Sequence, residues 1–206
     1  MTRTKVCGLT SQADVRAAVE AGADAVGFIV DVDVETPREI SAETAATLEA
    51  TVPPFVTTTL VTMPDNAAQA ITLADLVQVD AIQIHGLDPS ALSVVVESFR
   101  GPVIPAIAPD EIPTYGHLGD ALLVDTPSEG GGGGTGETHD WAATREATAD
   151  LDRPLILAGG LTPDNVTDAI DTVEPYGVDV ASGVESAPSE KDPDAVAAFV
   201  ERAHGR

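Results

Sequence analysis

The sequence predicts an α/β protein, a single-domain (β/α)8 TIM barrel over residues 1–206. Three observations carry that expectation. Short apolar runs alternate with helix-like stretches from end to end, the pattern of a parallel sheet with crossover helices. The chain holds eight such units of about 26 residues each, close to the minimum for a compact barrel. No Pro/Ser-rich linker divides it. An open doubly wound sheet is the alternative fold, and the even spacing favours closure.

Strands are expected at Lys5–Cys7, Ala25–Val30, Phe55–Val61, Ala81–Ile84, Val103–Ile107, Ala121–Val124, Leu155–Leu157 and Val178–Val180. Each has the length and near-continuous apolar character of a strand buried on both faces. Helices are expected at Ser11–Ala21, Ala42–Ala50, Asn66–Val77, Pro89–Phe99, Trp141–Ala147, Pro163–Val173 and Asp192–Ala203. The stretch Glu111–Tyr115 is the weakest, being short and holding Pro113. Ser41 can cap the helix after it, and Thr162-Pro163 reads as an N-cap followed by proline at the first helical position. The one low-complexity segment, Gly130–Gly134, is expected to be a mobile loop.

Charge is the strongest compositional signal. There are 34 acidic residues against 10 basic ones, a net charge of −24, and only Lys5 and Lys191 are lysines. Nucleic acid and anionic membranes would repel such a surface. The acids are scattered along the chain, so they form a self-repelling shell that concentrated salt screens. The screening length falls to roughly 3 Å at about 1 M salt. A cytoplasmic protein of a high-salt organism is expected, with a monomer favoured and a homodimer possible. An acidic nucleic-acid mimic is the minor alternative. Cys7 is the only cysteine, which leaves no internal disulfide. Met1–Thr4 lacks an apolar targeting core, and no apolar run is long enough to cross a bilayer.

Candidate functional residues gather at strand ends. Cys7 ends the first strand and Asp125 follows the sixth; in a barrel this rim is where active sites sit. Gly159-Gly160 and Ser182-Gly183 follow strands seven and eight, where barrels often bind phosphate through backbone N–H groups. Gln83 and His85 are two apart, so they share a face. Lys5 shares a face with Cys7 and can pair with an inward carboxylate. Read alone, Cys7 is also a plausible packed thiol, Asp125 a loop cap, His85 a structural residue and Asp179 a structural carboxylate. No second His or Cys stands at metal spacing, so no metal is expected.

An ordered set of motifs narrows these readings. It runs Lys5-Val6-Cys7-Gly8-Leu9-Thr10, Gly22-Ala23-Asp24-Ala25-Val26-Gly27-Phe28, Pro37-Arg38-Glu39-Ile40-Ser41, Ile82-Gln83-Ile84-His85-Gly86 and Leu122-Leu123-Val124-Asp125-Thr126. It continues with Gly134-Thr135-Gly136, Asp140-Trp141, Ala158-Gly159-Gly160-Leu161-Thr162-Pro163-Asp164-Asn165-Val166 and Val178-Asp179-Val180-Ala181-Ser182-Gly183-Val184-Glu185. From residue 3 to about residue 202 the chain resembles the phosphoribosylanthranilate isomerases. The resemblance implies an Amadori rearrangement of N-(5'-phosphoribosyl)anthranilate to 1-(2-carboxyphenylamino)-1-deoxyribulose 5-phosphate, in tryptophan biosynthesis, with no metal and no organic cofactor.

The resemblance also implies roles. Cys7 is the general base, which wants a depressed pKa, and Asp125 the general acid, which wants a raised one. Arg38 faces the anthranilate carboxylate. Gln83, His85 and Asp179 are candidates for substrate contact, with structural roles for His85 and Asp179 equally open, and Gly159, Gly160, Ser182 and Gly183 are the phosphate candidates by their place in a barrel. Departures from the family pattern are Ala181 for a serine, Pro105 for a lysine, His139 for a phenylalanine, Glu137 after Thr135-Gly136, and the third strand at Thr57–Leu60. A lysine-dependent barrel such as indole-glycerol-phosphate synthase has almost no candidate lysines here. A histidine-pathway isomerase would need paired aspartates at strand ends. A non-catalytic phosphometabolite binder would keep the glycines but could drop the acid and base.

Overall fold

The computed structural model describes residues 1–125 and 140–205. The Gly130–Gly134 run, Glu137 and His139 lie outside them. Eight parallel strands form a closed barrel in sequence order: β1 (Arg3–Val6), β2 (Ala25–Ile29), β3 (Thr57–Thr62), β4 (Ala81–His85), β5 (Val103–Ile107), β6 (Leu122–Val124), β7 (Leu155–Leu157) and β8 (Gly177–Val180). The helices between and after them are α1 (Gln12–Ala21), α2 (Ala42–Glu49), α3 (Ala67–Val77), α4 (Pro89–Ser98), α5 (Ile112–Tyr115), α6 (Trp141–Ala147), α7 (Val166–Val173) and α8 (Pro193–His204). After β8 a small antiparallel hairpin, β9 (Glu185–Ala187) and β10 (Glu190–Lys191), folds back over the barrel end.

Strand register decides which residues face inward. Paired residues point the same way, and alternate residues point oppositely. Lys5 pairs with both Ala25 and Asp179. Gly27 pairs with Thr59, Val61 with Gln83, and Gln83 with Ile104. Ala106 pairs with Leu123, Leu123 with Ile156, and Ile156 with Gly177. Followed round the ring, the inward set includes Lys5, Gly27, Gln83, Leu123 and Asp179, and alternation adds Cys7, His85 and Asp125. Ala81, Ile104, Ala106, Leu123 and Ala158 form a separate small apolar cluster inside the ring. The larger cluster packs the outward strand faces, such as Val26, Phe28, Ile82 and Val178, against the helices. The core of the fold is therefore a cylinder of side chains around the sheet.

Helix starts follow local chemistry. Ser11 and Asp14 form a capping box on α1, and Ser41, Asn66, Asp88, Asp140 and Asp192 each accept a backbone N–H at the start of their helix. The regular part of α7 starts later than the Pro163 expected from sequence. Its N-cap position is Asn165, not the Thr162 expected from sequence; Thr162 instead closes the preceding turn, its Oγ1 accepting from the Asp164 N–H and its carbonyl from the Val166 N–H at 3.1 Å. The expected third strand is corrected too. Phe55 stands outside it with φ of +77°, fully exposed, because the Pro53-Pro54 turn puts the chain in a conformation no strand accepts. Phe199 of α8 is wholly buried. Phe199→Ala is expected to lower unfolding free energy by about 3–5 kcal/mol, read from denaturant melts at fixed high salt.

Candidate active site

The inward parity of Cys7, His85, Asp125 and Asp179 opens a cavity of about 390 Å³ at the carboxyl ends of the strands. Its wall includes Cys7, Asp125, Arg38, Gln83, His85, Asp179, Gly159, Gly160, Ser182 and Gly183, all ten residues singled out from sequence. Cys7 follows β1 and its N–H donates to the Val180 carbonyl at 2.8 Å. Asp125, half-buried, follows β6 and its N–H donates to the Ile107 carbonyl at 2.9 Å. β1 and β6 lie three strands apart round the ring, so thiol and carboxyl belong to opposite sides of one mouth.

The floor is a polar chain centred on Lys5. The buried Nζ donates to Asp179 Oδ2 and to Gln83 Oε1, each at 2.9 Å. Gln83 Nε2 in turn lies 3.0 Å from His85 Nε2. Burial, helped by the positive charge of Lys5, pushes the His85 pKa down to about 4, so the imidazole is neutral at pH 7. Burial works against the Lys5 ammonium, but Asp179 and Cys7 outweigh it and the ammonium is held charged. Asp179 Oδ1 is buried and has no hydrogen-bond partner among the described residues. Burial pushes the Cys7 thiol above its ordinary range; Lys5 and Lys191 pull it down and Asp179 pushes it up. The depressed thiol expected from sequence is thus not what the ligand-free cavity shows, because desolvation outweighs the neighbouring cations.

On the rim, Arg38 is clamped. Its Nε and Nη2 donate to the two oxygens of Glu185, both at 2.7 Å, a bidentate pair. Lys191 Nζ donates to Glu185 Oε1 at 2.7 Å and to the Ala181 carbonyl at 3.0 Å. Burial pushes the Glu185 carboxyl up, but hydrogen bonds and charge from Arg38 and Lys191 outweigh it and leave it below the usual carboxylate range. The Arg38 stem crosses Gly8, where a Cβ would stand 2.8 Å from Arg38 Cδ, and Gly8 has φ of +69°. Glycine is required there on both counts.

Beyond β7 and β8 the backbone itself is the surface. Gly159 and Gly160 have φ of +86° and +62°. At Gly183 a Cβ would fall 1.8 Å from the Leu161 carbonyl, so the two loops touch main chain to main chain. Asn165 ties the first loop, donating to the Gly160 carbonyl and accepting from the Thr162 N–H. Among the described residues there is no cluster of three or more His, Cys, Asp or Glu arranged to hold a metal ion.

Residues 4–202 match the family model for N-(5'phosphoribosyl)anthranilate (PRA) isomerase. The chain belongs to the N-(5'-phosphoribosyl)anthranilate isomerase family. Membership makes it an isomerase of tryptophan biosynthesis. It is 56% identical to the family enzyme of Halobacterium salinarum, with 98% of this chain and 96% of that one covered. It is 55% identical to that of Haloferax volcanii, with 97% and 92% covered. The solved isomerase of Thermotoga maritima superposes with a TM-score of 0.89 at 36% identity over both complete chains. A second solved family structure, in complex with reduced 1-(o-carboxyphenylamino)-1-deoxyribulose 5-phosphate, gives a TM-score of 0.85 at 34% identity over both complete chains. Another describes monomers made from the dimeric isomerase of Thermotoga maritima.

Within this isomerase framework, sequence reasoning missed three participants. Glu185 stands in the last quoted motif but drew no role, and its bidentate pair joins residues 147 apart in sequence. Lys191 sits on a hairpin too short to show periodicity. Gly27 leaves the space in which Lys5 and Cys7 meet. The one available signal was scarcity: in so acidic a chain, both lysines are buried in the site.

Glu185→Gln is expected to destabilise the fold by about 3 kcal/mol, since it leaves two largely buried cations underpaired. The folded pKa of Glu185 lies below its unfolded value, so its contribution is present above the unfolded pKa and is lost as pH falls through the folded one. The gap between parent and Glu185→Gln should therefore close in acid, in denaturant melts taken across pH 7 to about pH 3.

Proposed function

We propose that this chain, as a single barrel domain over residues 1–206, catalyses the Amadori rearrangement of N-(5'-phosphoribosyl)anthranilate to 1-(2-carboxyphenylamino)-1-deoxyribulose 5-phosphate. One observation carries the residue assignment: a thiol and a carboxyl group line opposite sides of a cavity whose wall also includes the Gly159-Gly160 and Ser182-Gly183 loops.

The chemistry follows from that layout. Asp125 protonates the ribose ring oxygen, the ring opens, and nitrogen lone-pair donation gives an iminium at C1'. Cys7 then takes the proton from C2', leaving an enol-amine that becomes the ketone product. Acid and base must reach opposite sides of one sugar. The Arg38 edge turned away from Glu185, with its Nη1 donors, offers a fork to the anthranilate carboxylate. The Asp179 carboxylate, in the cavity wall, accepts a ribose hydroxyl. His85, neutral and fixed by Gln83, donates or accepts a hydrogen bond without changing charge. Phosphate rests on the backbone amides around Gly159, Gly160, Ser182 and Gly183. Such a site adds no side-chain charge of its own, and main-chain dipoles keep their aim at any salt concentration. The high acidity supports a cytoplasmic, salt-adapted monomer without nucleic-acid or membrane partners; among the described residues no helix is long and apolar enough to cross a membrane.

Loss of substrate fluorescence on adding the protein tests the activity. Cys7→Ala and Asp125→Asn are each expected to lower kcat by at least about 100-fold, the usual worth of a positioned acid or base, with the fold retained by circular dichroism. Near-parental turnover in either variant removes that residue from its role. Because the His85 ring is already neutral, any limb of the pH–rate profile near pH 6–7 should belong to another group, and His85→Gln should leave the profile's shape unchanged. A limb in that range that vanishes in His85→Gln would give the ring a proton-transfer role.

A further inference from the structure

A thiol stripped of water is a poor base unless something nearby favours its ionised form. The groups facing Cys7 are few. From its own strand comes Lys5, from β8 Asp179, and from the β9–β10 hairpin Lys191. β4 brings His85, which is neutral, and Gln83; Asp125 lies across the mouth. The adjacent strand β2 contributes only Gly27 at this level. A Cβ on that glycine would lie 2.8 Å from Cys7 Sγ and 3.2 Å from Lys5 Nζ. The missing methyl leaves room for both the sulfur and the ammonium.

We infer that Lys5 is the positioning residue of the Cys7 base: its buried ammonium is the counter-charge against which the thiolate forms. The inference rests on Cys7 being the base. An ammonium has three donors. Asp179 and Gln83 take two, and the third is the one a thiolate at Cys7 would take. Lys191, by contrast, is committed to Glu185 and a carbonyl oxygen. Asp179 both anchors the ammonium and competes for it. Since the pair is buried, molar salt does not screen it away.

Cys7 is the chain's only cysteine, so the far-ultraviolet absorbance of the thiolate and the rate of iodoacetamide alkylation both report this one group. In Lys5→Gln the titration midpoint is expected to rise by at least about one unit, tenfold less thiolate at a given pH. The ascending, low-pH limb of kcat/KM, which reports ionisation of the base, should move with it while KM changes little. Lys5→Arg, which keeps the charge, should restore most of the parental midpoint. If Lys5→Gln fails to fold, the Lys5→Gln/Asp179→Asn double variant leaves no buried charge unpaired and should shift the midpoint in the same direction. A folded Lys5→Gln or double variant with the parental midpoint, or a Lys5→Arg shifted as far as Lys5→Gln, overturns the inference. Failure of the underlying assignment is read elsewhere, as turnover retained in Cys7→Ala.

Discussion

The buried ion pair between Lys5 and Asp179 is the contact on which the mouth of this barrel depends. It joins the first strand to the last at the seam where the ring closes, and through Gln83 it reaches the strand on the far side. Stripping water from an ammonium and a carboxylate costs several kcal/mol per ion, which only near-ideal geometry and further hydrogen bonds offset. Both are present at Lys5, yet Asp179 keeps one oxygen unmatched. The pair therefore holds the site in shape while leaving one buried carboxylate oxygen without a hydrogen-bond partner among the described residues.

Charge is sorted by depth. Both lysines are withdrawn into the site, each against a carboxylate, whereas the excess of acid lies outside. Water and salt screen the outer charges, so their repulsion weakens as ionic strength rises. The inner pairs are shielded from solvent and keep their strength. Stability of the shell is thus coupled to the medium, and the electrostatics of the site much less so.

Much of the fold was legible because a barrel strand buried on both faces reads as a compact apolar run. Val103–Ile107 and Leu155–Leu157 came out with the observed bounds. Errors fell where local chemistry changes without changing composition. Phe55 reads as a strand residue by type, and only its backbone angle removes it. The β9–β10 hairpin is two short pieces with no period to detect. At the site, residues at strand ends were visible because parity and the rim rule are local. The Glu185 clamp on Arg38 was not, because nothing within a window of sequence links residues so far apart. Nor could sequence give the balance at Cys7, where two opposing influences, burial and a neighbouring cation, had to be weighed in three dimensions.

The hairpin after β8 carries a consequence for biosynthesis. The guanidinium near the start of the chain receives its carboxylate anchor only when the final stretch has left the ribosome and folded back. Domains emerge N-terminus first. A nascent chain with seven strands in place already holds its thiol and its acid but lacks the last wall of the cavity and the anchor for its arginine. The wall that completes the cavity is therefore set by one of the later-made segments, and the arginine gains its anchor only after that segment has folded back.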